Sequence, residues 1–133
     1  MHEKTVSKIK SLLSKSLAKR LPDDIKVVLI DRLESERLNF IYKEKRKPTN
    51  VLSFCYPQLA PGEKKNRKSY GEILICPDIV KKEAFKQGNS QTFQMTWMIL
   101  HGILHLSGIH HEQSRAESRR FVRLEQKIME NFL

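Results

Sequence analysis

The sequence predicts an α+β fold, a small mixed sheet of about three to four strands covered by helices. Three observations predict it. Apolar residues recur at helical spacing in several stretches, and short apolar runs of strand length lie between them. The length of 133 residues suits one modest core, so we expect a single domain over residues 1–133.

The first half of the chain predicts helix, strand, helix and strand in that order. One amphipathic helix before Pro22 is indicated by apolar residues at helical spacing: Val6, Ile9, Leu13 and Leu17. Residues 26–30 form a compact apolar run that predicts a strand. Asp31 is suited to cap a helix that continues toward Tyr42. A second strand is expected over residues 51–55.

The second half begins with a long exposed loop rich in proline, glycine and lysine, followed by a strand over residues 72–76. A short helix is predicted from Asp78 to a stop at Gly88, and Ser90 is suited to cap the next helix. The buried face of that next helix is predicted to contain Phe93, Trp97, Leu100 and Leu104. The buried face of the last helix is predicted to contain Phe121, Leu124, Ile128 and Phe132.

Four of the five histidines lie close together near the end of the chain. On a helix, His101 and His105 project from one face a turn apart and can bind the same ion. Gly108 can adopt the left-handed conformation that ends a helix, which allows His111 to return toward that ion. Three imidazoles with an open position are typical of catalytic zinc sites, so we expect one Zn²⁺ per chain. His110 is left as a catalytic candidate that supports a ligand or contacts substrate.

The histidine spacing also matches the metzincin protease signature HExxHxxGxxH, with one departure. Position 102 is glycine, whereas those proteases carry the glutamate that serves as general base there. Peptide hydrolysis is therefore the second hypothesis. We identify no general base; His110 and Glu112 are only near in sequence.

Three stretches together resemble one family. HGILHLSGIHH, residues 101–111, resembles the HGxLHLxGxDH signature of the YbeY family, bacterial metal-dependent endoribonucleases of ribosomal RNA maturation and ribosome quality control. Leu38, Asn39 and Tyr42 followed by KPTNVLSF resemble that family's LNxxYR…PT(D/N)VLSF segment, and YGEI at residues 70–73 resembles its LGDI strand. The resemblance covers roughly residues 38–111. It implies cleavage of single-stranded RNA by a site in which His101, His105 and His111 hold zinc.

Two departures from the family pattern concern the site. His110 stands where the family has aspartate, and Lys43 stands where it has an arginine. Lysine supplies the charge that steadies a phosphate but not the bidentate fork of an arginine. We expect Lys43 to act in catalysis and substrate binding, and Arg46, Asn50 and Ser53 to bind substrate.

The charge balance independently favours a nucleic-acid partner. Lysine and arginine total 25 against 15 acidic residues, a net charge of +10. Three basic groups contribute: Lys43, Lys45, Arg46 and Lys47; Lys64, Lys65, Arg67 and Lys68; and Arg115, Arg119, Arg123 and Lys127. The last group is equally explained as the solvated face of its helix. The expected partners are single-stranded RNA, ribosomal RNA in particular, and the ribosomal small subunit. Without a signal peptide or an apolar membrane span, we expect a cytoplasmic protein and no membrane partner.

Two alternatives to the endoribonuclease hypothesis stay open. One is a zinc hydrolase of another substrate, such as a peptide. The other is a weakly active, metal-stabilised RNA- or ribosome-binding module, because Lys43 and His110 replace family residues. The two cysteines, Cys55 and Cys76, lack the spacing of a thiolate zinc site and are expected to be buried thiols in strands.

Overall fold

The computed structural model describes residues 2–56, 69–109 and 114–133. Within them the chain forms three strands and six α-helices, so the α+β prediction is confirmed. The elements follow in this order: α1 (Glu3–Leu12), α2 (Lys15–Ala18), β1 (Asp24–Leu29), α3 (Arg32–Lys43), β2 (Val51–Tyr56), β3 (Tyr70–Ile75), α4 (Pro77–Gln87), α5 (Gln91–Leu106), α6 (Arg115–Met129) and a short 3-10 turn (Glu130–Phe132).

The sheet is mixed, with strand order β1-β3-β2. β3 pairs in parallel with β1 and antiparallel with β2. Every second residue of β3 is buried, namely Gly71, Ile73 and Ile75, so this face of the sheet packs on the core. Ser53 of β2 lies directly opposite Ile73 and therefore belongs to the same face.

Helix α5 has more buried residues than any other element of the described chain and contacts β2, β3, α1, α4 and α6. It approaches β3 closely at Gly102, where a Cβ atom would lie only 2.7 Å from Cγ2 of Ile73. Glycine at position 102 thus allows this close contact between helix and sheet. The surrounding core is apolar and contains Val6, Ile9, Ile73, Ile75, Ile99, Leu100, Ile103, Leu104, Phe121 and Ile128.

Several helix ends match the predictions. Asp31 and Ser90 accept hydrogen bonds from backbone N–H groups of α3 and α5, and Gly88 ends α4 with a φ of 71°. Gly108 has a φ of 88°, and the next N–H donates back to Leu104 at 3.1 Å. The predicted site helix followed by a glycine turn is therefore confirmed.

The single N-terminal helix predicted before Pro22 is wrong. Leu13 is extended, with φ −82° and ψ 152°, and Ser14 caps a separate helix α2 by accepting from the N–H of Leu17. A serine whose side chain satisfies the N–H groups of a new first turn favours such a break. Val6 and Ile9 are buried as predicted, and Leu13 still packs against the core.

Other boundaries differ by small amounts. β1 begins at Asp24 and ends at Leu29, and α4 begins at Pro77 rather than Asp78, because proline suits the first helical position. α6 stops at Met129, so Phe132 lies in the 3-10 turn and is only half-buried. Cys76 is buried, but Cys55 is exposed, which corrects the prediction for that thiol.

Candidate active site

The histidine pair predicted from the sequence comes together on α5. The Nε2 atoms of His101 and His105 are 3.2 Å apart, and their ring centroids are 4.8 Å apart. Both rings pack against Phe121 of α6, with centroid distances of 5.0 and 5.3 Å. The two imidazoles are only partly buried, so they present nitrogen atoms at the surface of the apolar core.

A buried carboxylate holds one of these rings. Oε2 of Glu125 lies 3.1 Å from Nδ1 of His101 and accepts a hydrogen bond from the indole N–H of Trp97 at 2.8 Å. An ionised carboxylate can only accept hydrogen bonds, so Nδ1 of His101 is the donor in this bond. The Nε2 lone pair of a neutral His101 is then directed toward His105.

The two histidines line a cavity of about 950 Å³. Its other walls come from the end of α3, the segment that follows it, β2 and the glycine turn after α5. Its lining contains Asn39, Tyr42, Lys43, Lys45, Lys47, Pro48, Thr49, Asn50, Val51, Leu52, Ser53, Phe54, Cys55, His101, His105, Leu106 and Gly108. The described lining thus carries three lysines and no carboxylate. Such a wall favours a polyanionic ligand.

Three of the four predicted substrate-binding residues line this cavity: Lys43, Asn50 and Ser53. Lys43 is the exposed last residue of α3. The amide N–H of Asn50 donates to Glu83 of α4 at 2.9 Å, which orients that side chain. Arg46 lies outside the lining, with its guanidinium 5.3 Å from the ring centroid of Phe40.

Buried polar side chains of α3 fix the segment that carries these residues. The hydroxyl of Ser35 donates to the carbonyl of Thr49 at 2.8 Å and accepts from the N–H of Thr49 at 2.9 Å. The amide of Asn39 donates to the carbonyl of Lys47 at 2.8 Å. Side chains of α3 therefore hold residues 47–49 in place by hydrogen bonds to the backbone of that segment. These bonds position the lysines and β2 around the cavity.

Some predicted residues lie outside the described part of the chain. His110, His111 and Glu112 fall in residues 110–113, and the basic group at 64–68 falls in residues 57–68. Across residues 2–56, 69–109 and 114–133, no three His, Cys, Asp or Glu side chains form a metal-binding group. The third zinc ligand therefore stays a prediction.

Glu125 and Tyr42 were not among the predicted site residues, and Lys45 and Lys47 were predicted only as members of a basic group. Glu125 follows Phe121 by four residues and precedes Ile128 by three, so helical periodicity alone puts it on the buried face of α6. A charged residue on such a face is a signal for a buried partner. Which partner it meets depends on how α6 packs against α5, and local patterns carry no such information.

The fold and the cavity define a class of α+β proteins. In this class, two histidines of one helix line a cavity that also contains lysines, and a buried carboxylate is hydrogen-bonded to one of the histidines. Within that class, the chain belongs to the YbeY family. The family model described as "Endoribonuclease YbeY" matches residues 1–133, the whole chain.

Individual relatives agree with this assignment. Endoribonuclease YbeY of Buchnera aphidicola is 37% identical over 105 residues, which cover 79% of this chain and 65% of that protein. The protein of the same name from Alkalilimnicola ehrlichii is 34% identical, with 81% and 64% covered, and that of Bdellovibrio bacteriovorus is 32% identical, with 86% and 69% covered. The chain thus spans about two thirds of the length of these relatives.

A solved structure supports the fold. The solution structure of TM1509 from Thermotoga maritima superposes with a TM-score of 0.56 at 28% identity, covering 96% of this chain and 80% of that one. Separately, none of the helices in the described residues is long and apolar enough to cross a membrane.

Proposed function

We propose that this protein is a metal-dependent endoribonuclease that cleaves single-stranded RNA. The observation that carries the proposal is the pair His101 and His105, whose Nε2 atoms are 3.2 Å apart in the wall of a cavity that also contains three lysines. Membership of a family described as endoribonucleases supports the reaction type. Ribosomal RNA as substrate, ribosome quality control, the small subunit as partner and the cytoplasm as compartment rest on the family resemblance.

Zinc fits the donor set of this site. Two nitrogens bound to one zinc ion at about 2.0–2.1 Å and a tetrahedral angle are about 3.3 Å apart, close to the 3.2 Å between the two Nε2 atoms. A histidine ligand usually donates its other N–H to a carboxylate, as His101 does to Glu125. We propose His101, His105 and His111 as the ligands of one Zn²⁺.

Each part of the site has a proposed task. When bound, zinc supplies a Lewis acid that activates water and neutralises charge on a phosphoryl oxygen. The ammonium group of Lys43 binds the scissile phosphate. Asn50 and Ser53 line the same cavity and form hydrogen bonds with the RNA. Arg46 binds RNA farther along the strand, and His110 supports a zinc ligand or contacts substrate.

Peptide hydrolysis is the competing hypothesis, and one observation argues against it. A metzincin-like general base belongs at position 102, yet Gly102 is buried with Ile73 directly against it. There is no space at that position for a carboxylate side chain. The second alternative, a weakly active RNA-binding module, follows from Lys43 in place of the family's arginine.

One experiment separates the three hypotheses. The purified full chain is incubated with labelled unstructured RNA and with casein, beside a Lys43→Arg variant. The nuclease proposal predicts that RNA is cut and casein is not. Loss of casein with intact RNA would contradict it, and RNA cleavage that appears only in Lys43→Arg would favour the binding module.

A further inference from the structure

An exposed aromatic ring stands in the wall of the cavity beside the lysines. Tyr42 lies one residue before Lys43 near the end of α3 and is 55% exposed. Its ring packs against Phe54 of β2, with centroids 4.8 Å apart and planes inclined at 59°. Both aromatic residues line the cavity that contains His101 and His105.

The exposed area of Tyr42 is unusual for a ring that only packs in a core. A tyrosine buries a large apolar surface when it serves stability, whereas Tyr42 leaves about half of its surface accessible. Contact with Phe54 on one side restricts the ring. A restrained, accessible ring next to cations is the combination that proteins use to hold single-stranded nucleic acids.

The charged residues around the Tyr42 ring indicate what kind of ligand the cavity binds. Lys43, Lys45 and Lys47 line the cavity, and no aspartate or glutamate does so among the described lining residues. Phosphates suit the lysines, and the flat faces of the bases suit the tyrosine. A double helix hides those faces, so the combination favours an unpaired strand.

We propose that Tyr42 is a stacking platform for one base of a single-stranded RNA, next to the phosphate bound by Lys43. The inference rests on the proposed endoribonuclease function and adds to it the element that selects unpaired substrate. Trp97, the only tryptophan of the chain, does not take this role, because it is not among the residues that line the cavity. Any of the four bases can stack, so the platform selects for unpaired strands rather than for sequence.

Binding measurements with non-cleavable probes test the platform. The probes are a fluorescently labelled single-stranded oligodeoxyadenylate, which an endoribonuclease does not cut, and an abasic oligomer with the same number of phosphates. The wild-type chain is compared with Tyr42→Leu and Tyr42→Phe. The control is Phe85→Leu, which removes an 88% exposed ring of α4 outside the cavity.

Tyr42→Leu is expected to weaken binding of the oligodeoxyadenylate by about 5- to 150-fold, the range of one stacked base. Tyr42→Phe keeps the ring and should stay within about twofold, as should Phe85→Leu. The abasic oligomer should bind wild type and Tyr42→Leu equally. A thermal melt of each variant confirms that the fold is retained.

Two results would overturn the platform. One is equal affinity of Tyr42→Leu and wild type for the oligodeoxyadenylate, which would leave Tyr42 as a packing partner of Phe54 only. The other is equal affinity of wild type for the two probes, which would mean that phosphates alone are bound. If RNA is cleaved in either case, the proposed function stands without the platform. If the platform is found but RNA is not cleaved, the proposed function fails and a binding surface remains.

Discussion

Glu125 shows how one side chain can organise the site. It is a buried carboxylate, and one of its oxygens accepts from both Trp97 and His101. Burial of a carboxylate is costly unless hydrogen bonds satisfy it, and Glu125 takes part in two such bonds. Here the bond fixes the ring that directs Nε2 toward His105.

Glu125→Gln is expected to lower zinc affinity by about 10- to 100-fold, the usual effect of removing a carboxylate behind a histidine ligand. The amide oxygen of glutamine is neutral, so the hydrogen bonds that it accepts from Trp97 and His101 are weaker than those of a carboxylate. Competition with a zinc chelator measures the affinity, and the emission of Trp97 reports the weakened hydrogen bond in the metal-free chain.

Glu130→Gln, which changes an exposed glutamate in the following 3-10 turn, is the matched control. It should leave both zinc affinity and Trp97 emission unchanged. Unaltered zinc affinity in a folded Glu125→Gln variant would show that the carboxylate does not act on the ligand.

Gly102→Ala tests the close approach of α5 to β3. Alanine gains about 1 kcal/mol of helix propensity over glycine, but its Cβ would meet Cγ2 of fully buried Ile73 at 2.7 Å. Overpacking of this kind costs about 1–3 kcal/mol. We expect a net loss of about 1 kcal/mol in the free energy of unfolding, measured with urea.

The Ile73→Ala background provides the control for this clash. Because it removes the atoms that Cβ would meet, Gly102→Ala should become neutral or stabilising there. An equal cost in both backgrounds would mean that the close contact is not the cause.

At the level of elements, α3 is fastened to the rest of the molecule by polar contacts. Its two buried side chains are Ser35 and Asn39, which bind the backbone of Thr49 and Lys47. Several of its apolar side chains are exposed, Leu33 and Ile41 among them. These hydrogen bonds, rather than burial of an apolar face, therefore fix the position of α3 in the cavity wall.

Ser35→Ala should lower the free energy of unfolding by about 1–3 kcal/mol, because the N–H and the carbonyl of Thr49 both lose their partner. Urea denaturation measures the change. Glu36→Ala, on the exposed side of the same helix, should stay within about 0.5 kcal/mol of wild type. Equal stability of the two variants would contradict this account of α3.

Elements with strong local signals could be predicted from the sequence. Asp31, Ser90, Gly88 and Gly108 marked helix ends that the structure confirms, since capping and left-handed turns depend on neighbouring residues alone. The break at Leu13 was missed because apolar spacing continues across it. The helical spacing of His101 and His105 indicated that the rings would meet.

Features that depend on long-range packing could not be predicted. The bond between Glu125 and His101 joins residues 24 apart. The strand order β1-β3-β2 and the cavity between α3, β2 and α5 also arise from tertiary contacts. Local periodicity says which face of an element is buried but not what it meets.

The whole molecule has a net charge of +10, and part of this positive charge lies in the lining of the cavity. Lys43, Lys45 and Lys47 concentrate positive charge beside the histidine pair. An anionic strand drawn to the protein by its overall field would therefore meet three lysines where the reaction is proposed to occur.

Salt dependence tests this arrangement. Each lysine that contacts a phosphate of a single strand contributes about 0.7 to the slope of log affinity against log salt concentration. Lys45→Ala and Lys47→Ala should each reduce the slope for single-stranded RNA by up to about that amount. Lys86→Ala, at an exposed position of α4 outside the cavity lining, should not change it. Equal slopes for all variants would mean that the strand binds elsewhere.

The most direct test of the central claim is metal content by elemental analysis, coupled to cleavage of a labelled single-stranded RNA, in wild type and His105→Ala. We expect about one zinc per chain and cut RNA for wild type, with both lost in the variant while its fold is retained. RNA cleavage that persists undiminished in His105→Ala would contradict the claim that the histidine pair is the reactive centre.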